Sequence, residues 1–597
     1  MKPLRAKLLF LAGAAALAFA IPAAGQREEA PESLLPPGFG DPPPPAPKEP
    51  RPDTPQAPPP PSPATPAPPA PPAPAASDSG DVEDSALEDL EALTEQQLPP
   101  PIEVPEASRR PTNPAGPLRA DNRGLGLDAF GNANGPFLSS LMGRLNAPLP
   151  SRWTSILLRN ALLSESMAPT KVNEVDWIAD RAWLLLRMGE ADGARMLVQA
   201  VDVDRFTPRM FTVAVQVALA TADPAALCPL VGPGRKISDE PVWPLADAMC
   251  ASLEGDAARA SQLIEQARRR SGGGIDTLLA EKVIGAGTNT RRAVTIEWQG
   301  VEDLNSWRFG LASATGLEIP APLMSRAGPA VWAWQARAPM VPLEQRVAAA
   351  ERAAALGVFS NASLVEIHSL ILDRTDPSEL EGSLGDRLRK AYVANSVGDR
   401  IDAMRNLWGE GGNRYGRFIL TAAAAARIPP SADYGNRADD LLGSMMTAGY
   451  DRFAAGWGGV ADGMDGDDGQ RAWSILAVGA PGAVVDLSPG RIEAFTDSAD
   501  AYRGRMLVAA LAGLGRFADP AAYGVSPVPR SRWGNLITAA ARARQPGTVA
   551  LLAGVGMQTP SWRGVPPEHL YHIVKALKDV GRDYEARMIA AEAMTRL

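Results

Sequence analysis

The chain has 597 residues, a net charge of −9 and only 6% aromatic side chains. Ten of its acidic residues lie between Asp78 and Glu106, and the rest of the chain has a net charge of +1. This near-neutral charge excludes nucleic acid and anionic membranes as partners attracted by bulk electrostatics, so we expect protein partners and no nucleic acid.

Residues 1–25 are typical of a secretory signal peptide. Three cations, Lys2, Arg5 and Lys7, precede an apolar stretch at 8–20. Small residues that suit cleavage follow it. The stretch is shorter than the roughly 20 residues that span a bilayer, so we expect no membrane insertion after cleavage. With its abundant Ala, Arg and Pro and few Lys, the chain is expected in the periplasm of a Gram-negative cell, with secretion beyond it as the alternative.

Residues 26–118 are rich in Pro, Ala and acidic side chains. Such a segment has too few apolar groups to offset the entropy lost on ordering, so we predict a disordered tether. Its densest part, 41–76, would extend about 110 Å as polyproline II at about 3.1 Å per residue. The tether either projects the body through the envelope or is an inert spacer.

The acidic part of this tether contains a candidate docking helix. Ser85 and Glu88 have the spacing of a capping box, and Leu87, Leu90 and Leu93 follow at near-helical spacing. We expect this amphipathic face to dock into a groove on a partner. Because isolated helices of this length are marginal, a solvated acidic spacer is the alternative.

The remaining chain has the apolar periodicity of an all-α fold, with residues recurring at three and four positions. The clearest segments are Trp153–Leu163, Val175–Met188, Leu343–Leu356 and Leu364–Leu372. Many helices joined by short turns favour an α-solenoid of antiparallel helix pairs over a single bundle. We predict two helical-repeat subdomains, 119–290 and 291–597, with one continuous superhelix as the alternative.

Four glycines in helical segments are each followed five residues later by an alanine. The pairs are Gly189 and Ala194, Gly255 and Ala260, Gly398 and Ala403, and Gly581 and Ala586. We expect each glycine to adopt the left-handed conformation that ends one helix. Each alanine then lets the next helix approach closely, which predicts helical hairpins.

The residues around these pairs resemble the tetratricopeptide repeat. The matching positions are Trp183, Gly189, Ala191, Ala194, Val198 and Val201, then Gly255, Ala257, Ala260, Ile264 and Ala267, with shorter matches at Gly398, Ala403 and Leu407 and at Gly581, Ala586, Ala590 and Ala593. The family repeats about every 34 residues, whereas these glycines lie 66, 143 and 183 residues apart. The resemblance implies a divergent right-handed superhelix whose concave face binds peptides or protein segments.

The chain has two cysteines, Cys228 and Cys250, separated by 22 residues. This separation is about that of neighbouring antiparallel helices. An even number of cysteines in an exported chain favours a disulfide. Two separate buried thiols are the alternative, because free cysteine is commonly buried.

Two clusters of polar residues have side chains of the kind that bind metal ions, but we predict no metal or cofactor at either. His569 and His572 share one helical face, but no third ligand is identifiable. An acidic loop does not match the frame of an EF-hand, and its carboxylates are expected instead to cap a helix that begins near Gln470. Its residues are Asp462, Asp465, Asp467 and Asp468.

Neither a nucleophile motif nor a phosphate-binding motif occurs, including Gly-x-Ser-x-Gly, Ser-x-x-Lys and His-Glu-x-x-His. Trp332, Trp334 and Trp457 are expected to fill the core, with stacking on sugars as the alternative. We therefore predict a non-enzymatic periplasmic scaffold or adaptor that binds protein partners in a cell-envelope complex. The alternative is an enzyme acting on envelope polysaccharide or peptidoglycan, or a glycan-binding protein, with an unrecognised groove site.

Overall fold

Backbone elements from residue 105 onwards are defined by a computed structural model. It describes residues 105–597 except 272, 288–293 and 410–412. The predicted signal peptide, the tether up to residue 104 and the candidate docking residues lie outside the described residues. Those docking residues are Leu87, Leu90 and Leu93.

Helices and short 3-10 turns are the regular elements of the described residues, which contain no β-strand, and this confirms the all-α prediction. The first fourteen helices are α1 (Gly135–Arg144), α2 (Arg152–Leu163), α3 (Glu174–Arg187), α4 (Ala191–Gln199), α5 (Pro208–Ala220), α6 (Cys228–Ile237), α7 (Val242–Leu253), α8 (Ala257–Ser271), α9 (Ile275–Gly287), α10 (Ser306–Ala314), α11 (Ala321–Arg326), α12 (Pro329–Arg337), α13 (Leu343–Ala355) and α14 (Asn361–Leu372).

The helices of the C-terminal part are more varied in length. They are α15 (Leu384–Val393), α16 (Val397–Gly409), α17 (Arg414–Ala425), α18 (Ala438–Thr447), α19 (Asp451–Ala455), α20 (Gly458–Asp462), α21 (Gly466–Gly479), α22 (Pro489–Ser498), α23 (Ala501–Gly513), α24 (Arg532–Arg542), α25 (Pro546–Gly556), α26 (Pro567–Asp579) and α27 (Asp583–Arg596).

The segments predicted from apolar periodicity correspond to α2, α3, α13 and α14. Local caps explain where three of them begin. Ser151, Asn173 and Ser360 precede α2, α3 and α14, and the side-chain oxygen of each accepts hydrogen bonds from backbone N–H groups of the first turn. Such caps satisfy donors that the helix itself leaves unpaired.

Three of the four marker glycines lie between helices that pack side by side. Gly189, Gly255 and Gly581 have φ angles of 90°, 89° and 77°, and they join α3 to α4, α7 to α8 and α26 to α27. The left-handed backbone ends each first helix. The alanines that follow are fully buried, and they are Ala194, Ala260 and Ala586.

Gly398 differs from this expectation, because it lies in the first turn of α16 and is not left-handed. Ala394 instead ends α15 in an extended conformation. The Ser396 hydroxyl then accepts a hydrogen bond of 3.0 Å from the Asp399 N–H and starts α16. The hairpin of α15 and α16 therefore forms through a serine cap, with Ala403 buried as expected.

The folded body includes residues that composition assigned to the end of the tether. The Thr112 hydroxyl donates a hydrogen bond of 2.6 Å to Glu174. The Ala115 N–H bonds to the carbonyl of Ser166, and the Leu118 N–H bonds to that of Leu163. Backbone pairing therefore holds the chain against α2 and α3 before residue 119, the predicted start of the body.

The last helices of the chain pack against the first ones. α2 contacts both α25 and α27, and α1 also contacts α25. In a linear solenoid each repeat contacts only its neighbours, and these contacts between the first and last helices do not follow that pattern. One continuous core extends from Ala115 to Met594. The predicted subdomain boundary at residue 290 stays a prediction.

The contact between α2 and α27 centres on the buried carboxylate of Glu592. It accepts hydrogen bonds from the Ser151 hydroxyl at 2.7 Å, the Arg152 N–H at 2.9 Å and the Trp153 N–H at 3.0 Å. A negative charge at a helix N-terminus interacts favourably with the helix dipole. Glu592 therefore supplies, from the last helix, a cap for α2.

The Arg152 side chain extends this contact to the middle of the chain. Its guanidinium donates to the carbonyls of Thr447, at 3.1 Å, Phe359, at 3.0 Å, and Ala354. Burial is the main cause that lowers the pKa of Arg152. Four separate parts of the chain therefore meet at one buried arginine and one buried glutamate, which we call the closure cluster.

Replacing Glu592 with alanine should destabilise the body by about 3 kcal/mol, because buried N–H donors lose their acceptor. The midpoint of urea unfolding, followed by circular dichroism, measures the change. Asp579→Ala is the control, since it removes an exposed i,i+4 pair with Lys575 that is worth well below about 1 kcal/mol. Equal midpoints for the two variants would contradict the role of the closure cluster.

Candidate functional site

Helix α5 separates two surface grooves. One face presents Ala214, Val217 and Ala218 to a groove of about 680 Å³, which we call groove A. The opposite face presents Val215 and Leu219 to groove B, of about 440 Å³. Successive helical positions are rotated by about 100°, so a single apolar helix lines both grooves.

The floor of groove A is apolar. α4 contributes Val198, α5 contributes Val217 and α6 contributes Leu230, and all three are buried at the base. Half-buried Phe206 lines the side and packs edge-to-face against Phe211, with ring centroids 5.2 Å apart. A floor of this kind suits apolar side chains of a bound segment.

Two ion pairs form the rim of groove A. Arg195 pairs with Asp223 at 2.6 Å, and Arg110 pairs with Asp202 at 3.4 Å. In each pair the arginine is the more exposed partner, at 36% against 28% and at 59% against 18%. The rim therefore carries two guanidinium groups and two carboxylates, each paired with a group of opposite charge.

A disulfide holds one wall of groove A. Cys228 at the start of α6 is bonded to Cys250 in α7, with Cα atoms 5.5 Å apart. This confirms the predicted bridge and excludes two separate thiols. Pro229 and Leu230, which follow Cys228 directly, line groove A. The bridge therefore fixes this wall against α7.

Groove B combines tryptophan side chains with a carboxylate. Trp307 and Trp334 line it, and the Trp307 indole N–H bonds to the carbonyl of Asp276 at 3.0 Å. Arg308 donates to both carboxylate oxygens of Asp276, at 2.9 and 3.2 Å. The Asp276 carboxylate is therefore paired with the Arg308 guanidinium.

The tryptophans singled out in the sequence differ in surroundings. Trp457 is fully buried, and Trp334 is buried against Phe309 with centroids 5.7 Å apart. Trp332 is half-buried, and the Arg352 guanidinium lies 4.1 Å above its ring. Two of the three therefore fill the core, and the third carries a cation–π contact.

The histidine pair is held by aromatic and backbone contacts. The His569 ring lies 4.2 Å from the Trp533 ring, and its Nδ1 is 2.7 Å from the Gly556 carbonyl oxygen. Burial is the main cause that lowers the pKa of His572, and electrostatic repulsion from His569 lowers it further. The part of the chain that the structure describes contains no group of three His, Cys, Asp or Glu residues able to hold a metal ion.

The acidic loop contains the start of α21 and contacts a neighbouring turn. Asp465 directly precedes the helix, but its side chain makes no capping hydrogen bond, so it does not cap the helix as predicted. Asp468, in the first turn, pairs with Arg471. Asp462 accepts hydrogen bonds from the Asp486 N–H at 3.2 and 3.3 Å. The helix begins at Gly466, four residues before the predicted position near Gln470.

Groove A was not visible in the sequence as a site. Its lining comes from Arg110 and from the stretch 195–230, and apolar residues such as Val217 and Leu230 have the ordinary periodicity of core positions. One feature of the sequence does point to this region. Ala194, in the first glycine–alanine pair, lets α4 pack against α3. Arg195 and Val198 of the same helix face the groove.

Comparison with known proteins found no matching family model, no similar curated protein and no similar solved structure. Among the described helices, none has the length and apolar character needed to cross a membrane. The proposals below therefore rest on the geometry of the grooves and on the sequence.

Replacing Cys228 and Cys250 together with alanine should lower the free energy of unfolding by about 3 kcal/mol, because the unfolded chain gains the freedom of a 22-residue loop. Urea unfolding with and without a reductant measures this. Reductant should lower the midpoint of the native protein towards that of the double variant and leave the variant unchanged. Equal midpoints without reductant would contradict a stabilising bridge.

Proposed function

We propose that this protein is a non-enzymatic periplasmic scaffold or adaptor of the cell envelope. Its helical body, a divergent tetratricopeptide-like solenoid, binds a segment of a protein partner in groove A. The observation that carries the proposal is an open groove with an apolar floor and a charged rim between packed helical hairpins.

The arrangement of groove A supports a protein ligand. Binding surfaces for proteins typically have an apolar centre and a polar rim, and helix-lined grooves accept amphipathic segments. The buried floor around Val217 supplies the first feature, and the pairs of Arg110 and Arg195 supply the second. The hairpins beside it are the feature that the tetratricopeptide resemblance implies.

The disulfide supports the proposed compartment. Structural disulfides persist in oxidising environments such as the periplasm and are rare in the cytosol. The bridge between Cys228 and Cys250 is therefore compatible with the export that residues 1–25 predict. Release beyond the periplasm is the alternative, and cell fractionation distinguishes the two.

Filling groove A should abolish partner binding. Ala225 is exposed at its mouth, so Ala225→Trp adds bulk without entering the core. We expect at least a tenfold loss of the protein partner captured from the envelope fraction by the full chain. The steric reason is that an indole would occupy the space of the bound segment.

Ala521→Trp is a matched control. Ala225 and Ala521 each follow the proline of a four-residue 3-10 turn, and both are exposed. The control should capture the partner as the native chain does. Equal capture by both variants would show that the partner does not bind in groove A. Retention on peptidoglycan with no protein partner would overturn the scaffold proposal in favour of a glycan-binding or polysaccharide-acting protein.

A further inference from the structure

We propose that the exposed face of α24 binds an acidic segment of a protein partner, and that one apolar side chain of that segment enters a pocket at the start of the helix. The inference goes beyond the proposed function, because it assigns a second binding surface whose residues are not those of groove A.

The stretch of chain around α24 is cationic. Residues 520–567 contain five arginines and no lysine, aspartate or glutamate, so their net charge is +5. All five arginines are exposed, and they are Arg530, Arg532, Arg542, Arg544 and Arg563. A body that is nearly neutral as a whole therefore has a local concentration of positive charge.

Helix α24 presents two of these arginines along one face. Its exposed positions are spaced by three, four and three residues, which places them in one stripe, and they are Arg532, Asn535, Ala539 and Arg542. Ile537 is buried on the opposite side. We call this stripe the cationic face. Its two arginines lie about 15 Å apart along the helix axis, at about 1.5 Å per residue.

The arginines of the cationic face have no internal partner. Within the described part of the chain, neither guanidinium forms an ion pair or a hydrogen bond. Other exposed arginines of the body differ, because Arg209 pairs with Asp180 and Arg235 pairs with Asp247, each at 2.8 Å. The donors of Arg532 and Arg542 are therefore available to a carboxylate from outside.

Carboxylates lie beyond both ends of the helix. Glu568, in the pocket that Arg530 lines, pairs with Arg505 at 3.7 Å. Asp128 and Asp579 line a groove with Arg544, and Asp579 pairs with Lys575 at 3.0 Å. These carboxylates offset charge at the ends of α24, so we assign binding to the two arginines of the cationic face.

An apolar pocket of about 210 Å³ lies at the start of α24. Its lining includes Val528, Trp533, Pro566 and His569. The Trp533 ring is held by its N–H, which donates to the Leu552 carbonyl at 2.8 Å, and lies 4.2 Å from the His569 ring. Val528 is 66% exposed at the mouth. A preformed pocket of this size suits one apolar side chain of a ligand.

An acidic protein segment fits both features. A guanidinium binds a carboxylate through two parallel hydrogen bonds, which makes arginine well suited to acidic side chains. An extended segment covers 15 Å with about five residues, at about 3.3 Å per residue. The pocket favours a protein segment over a lipid surface, because a single side chain can enter a recess that a planar headgroup layer cannot fill.

Fluorescence anisotropy of a labelled synthetic peptide tests the inference on the purified full chain. The peptide has one leucine followed by seven glutamates. Arg532→Gln with Arg542→Gln should weaken its binding about tenfold, because two exposed charge pairs are lost. The urea midpoint checks that the double variant keeps the native fold.

Arg269→Gln with Arg270→Gln is the matched control, because it removes two exposed arginines at the end of α8 and changes the net charge equally. The control should change the affinity by less than about twofold, since long-range effects between exposed charges are screened by salt. Equal weakening by the two double variants would overturn the inference, because binding would then follow net charge alone.

A second peptide tests the pocket. Serine in place of the leucine should weaken binding to the native chain about fivefold, because less apolar surface is buried. Equal affinity for the two peptides would overturn the inference. Binding to vesicles of phosphatidylglycerol and phosphatidylcholine that requires Arg532 and Arg542, without binding of the leucine peptide, would overturn it in favour of a lipid surface.

The Ala225→Trp variant separates this inference from the proposed function. It should leave the affinity for the leucine peptide unchanged, because Ala225 lines groove A and not the pocket at α24. Partner capture that is lost in Ala225→Trp, together with no binding of the peptide to the native chain, would reject the inference and leave the proposed function standing.

Discussion

The fold depends on a carboxylate from the last helix at the N-terminus of one of the first. Helix α2 leaves its first N–H groups without partners inside the helix. Ser151 satisfies one of them, and Glu592 accepts from two others and from the Ser151 hydroxyl itself. The two residues are 441 positions apart, so this cap exists only when the whole body is assembled.

Arg152 connects α2 to the middle of the chain in a similar way. A buried guanidinium requires acceptors in fixed positions, and its acceptors here are carbonyls at the ends of α13 and α18 and in the turn before α14. Removing one partner from such a cluster leaves the others buried and unsatisfied. The cluster therefore ties α2 to the centre and the end of the chain, and α2 in turn contacts α3 and α4, the hairpin beside groove A.

Local features of the sequence predicted the all-α class and the positions of α2, α3, α13 and α14, because periodicity and caps act over a few residues. Gly189 and Gly581 show the left-handed turn that their context predicts, whereas Gly398 does not, since Ser396 offers a competing way to start a helix. Glu592 and Arg152 give no local signal for their roles. Groove A was missed because its apolar residues have ordinary core periodicity, and only the packing of α4, α5 and α6 leaves a groove between them.

The arrangement of groove A has a further consequence for specificity. Its wall at α6 is fixed by the disulfide, and α5 is held between α3, α4 and α10. A preformed groove loses little conformational entropy when it binds, so apolar contact alone would favour many ligands. Discrimination among segments then depends on elements that disfavour the wrong ones, such as the paired arginines and carboxylates of the rim.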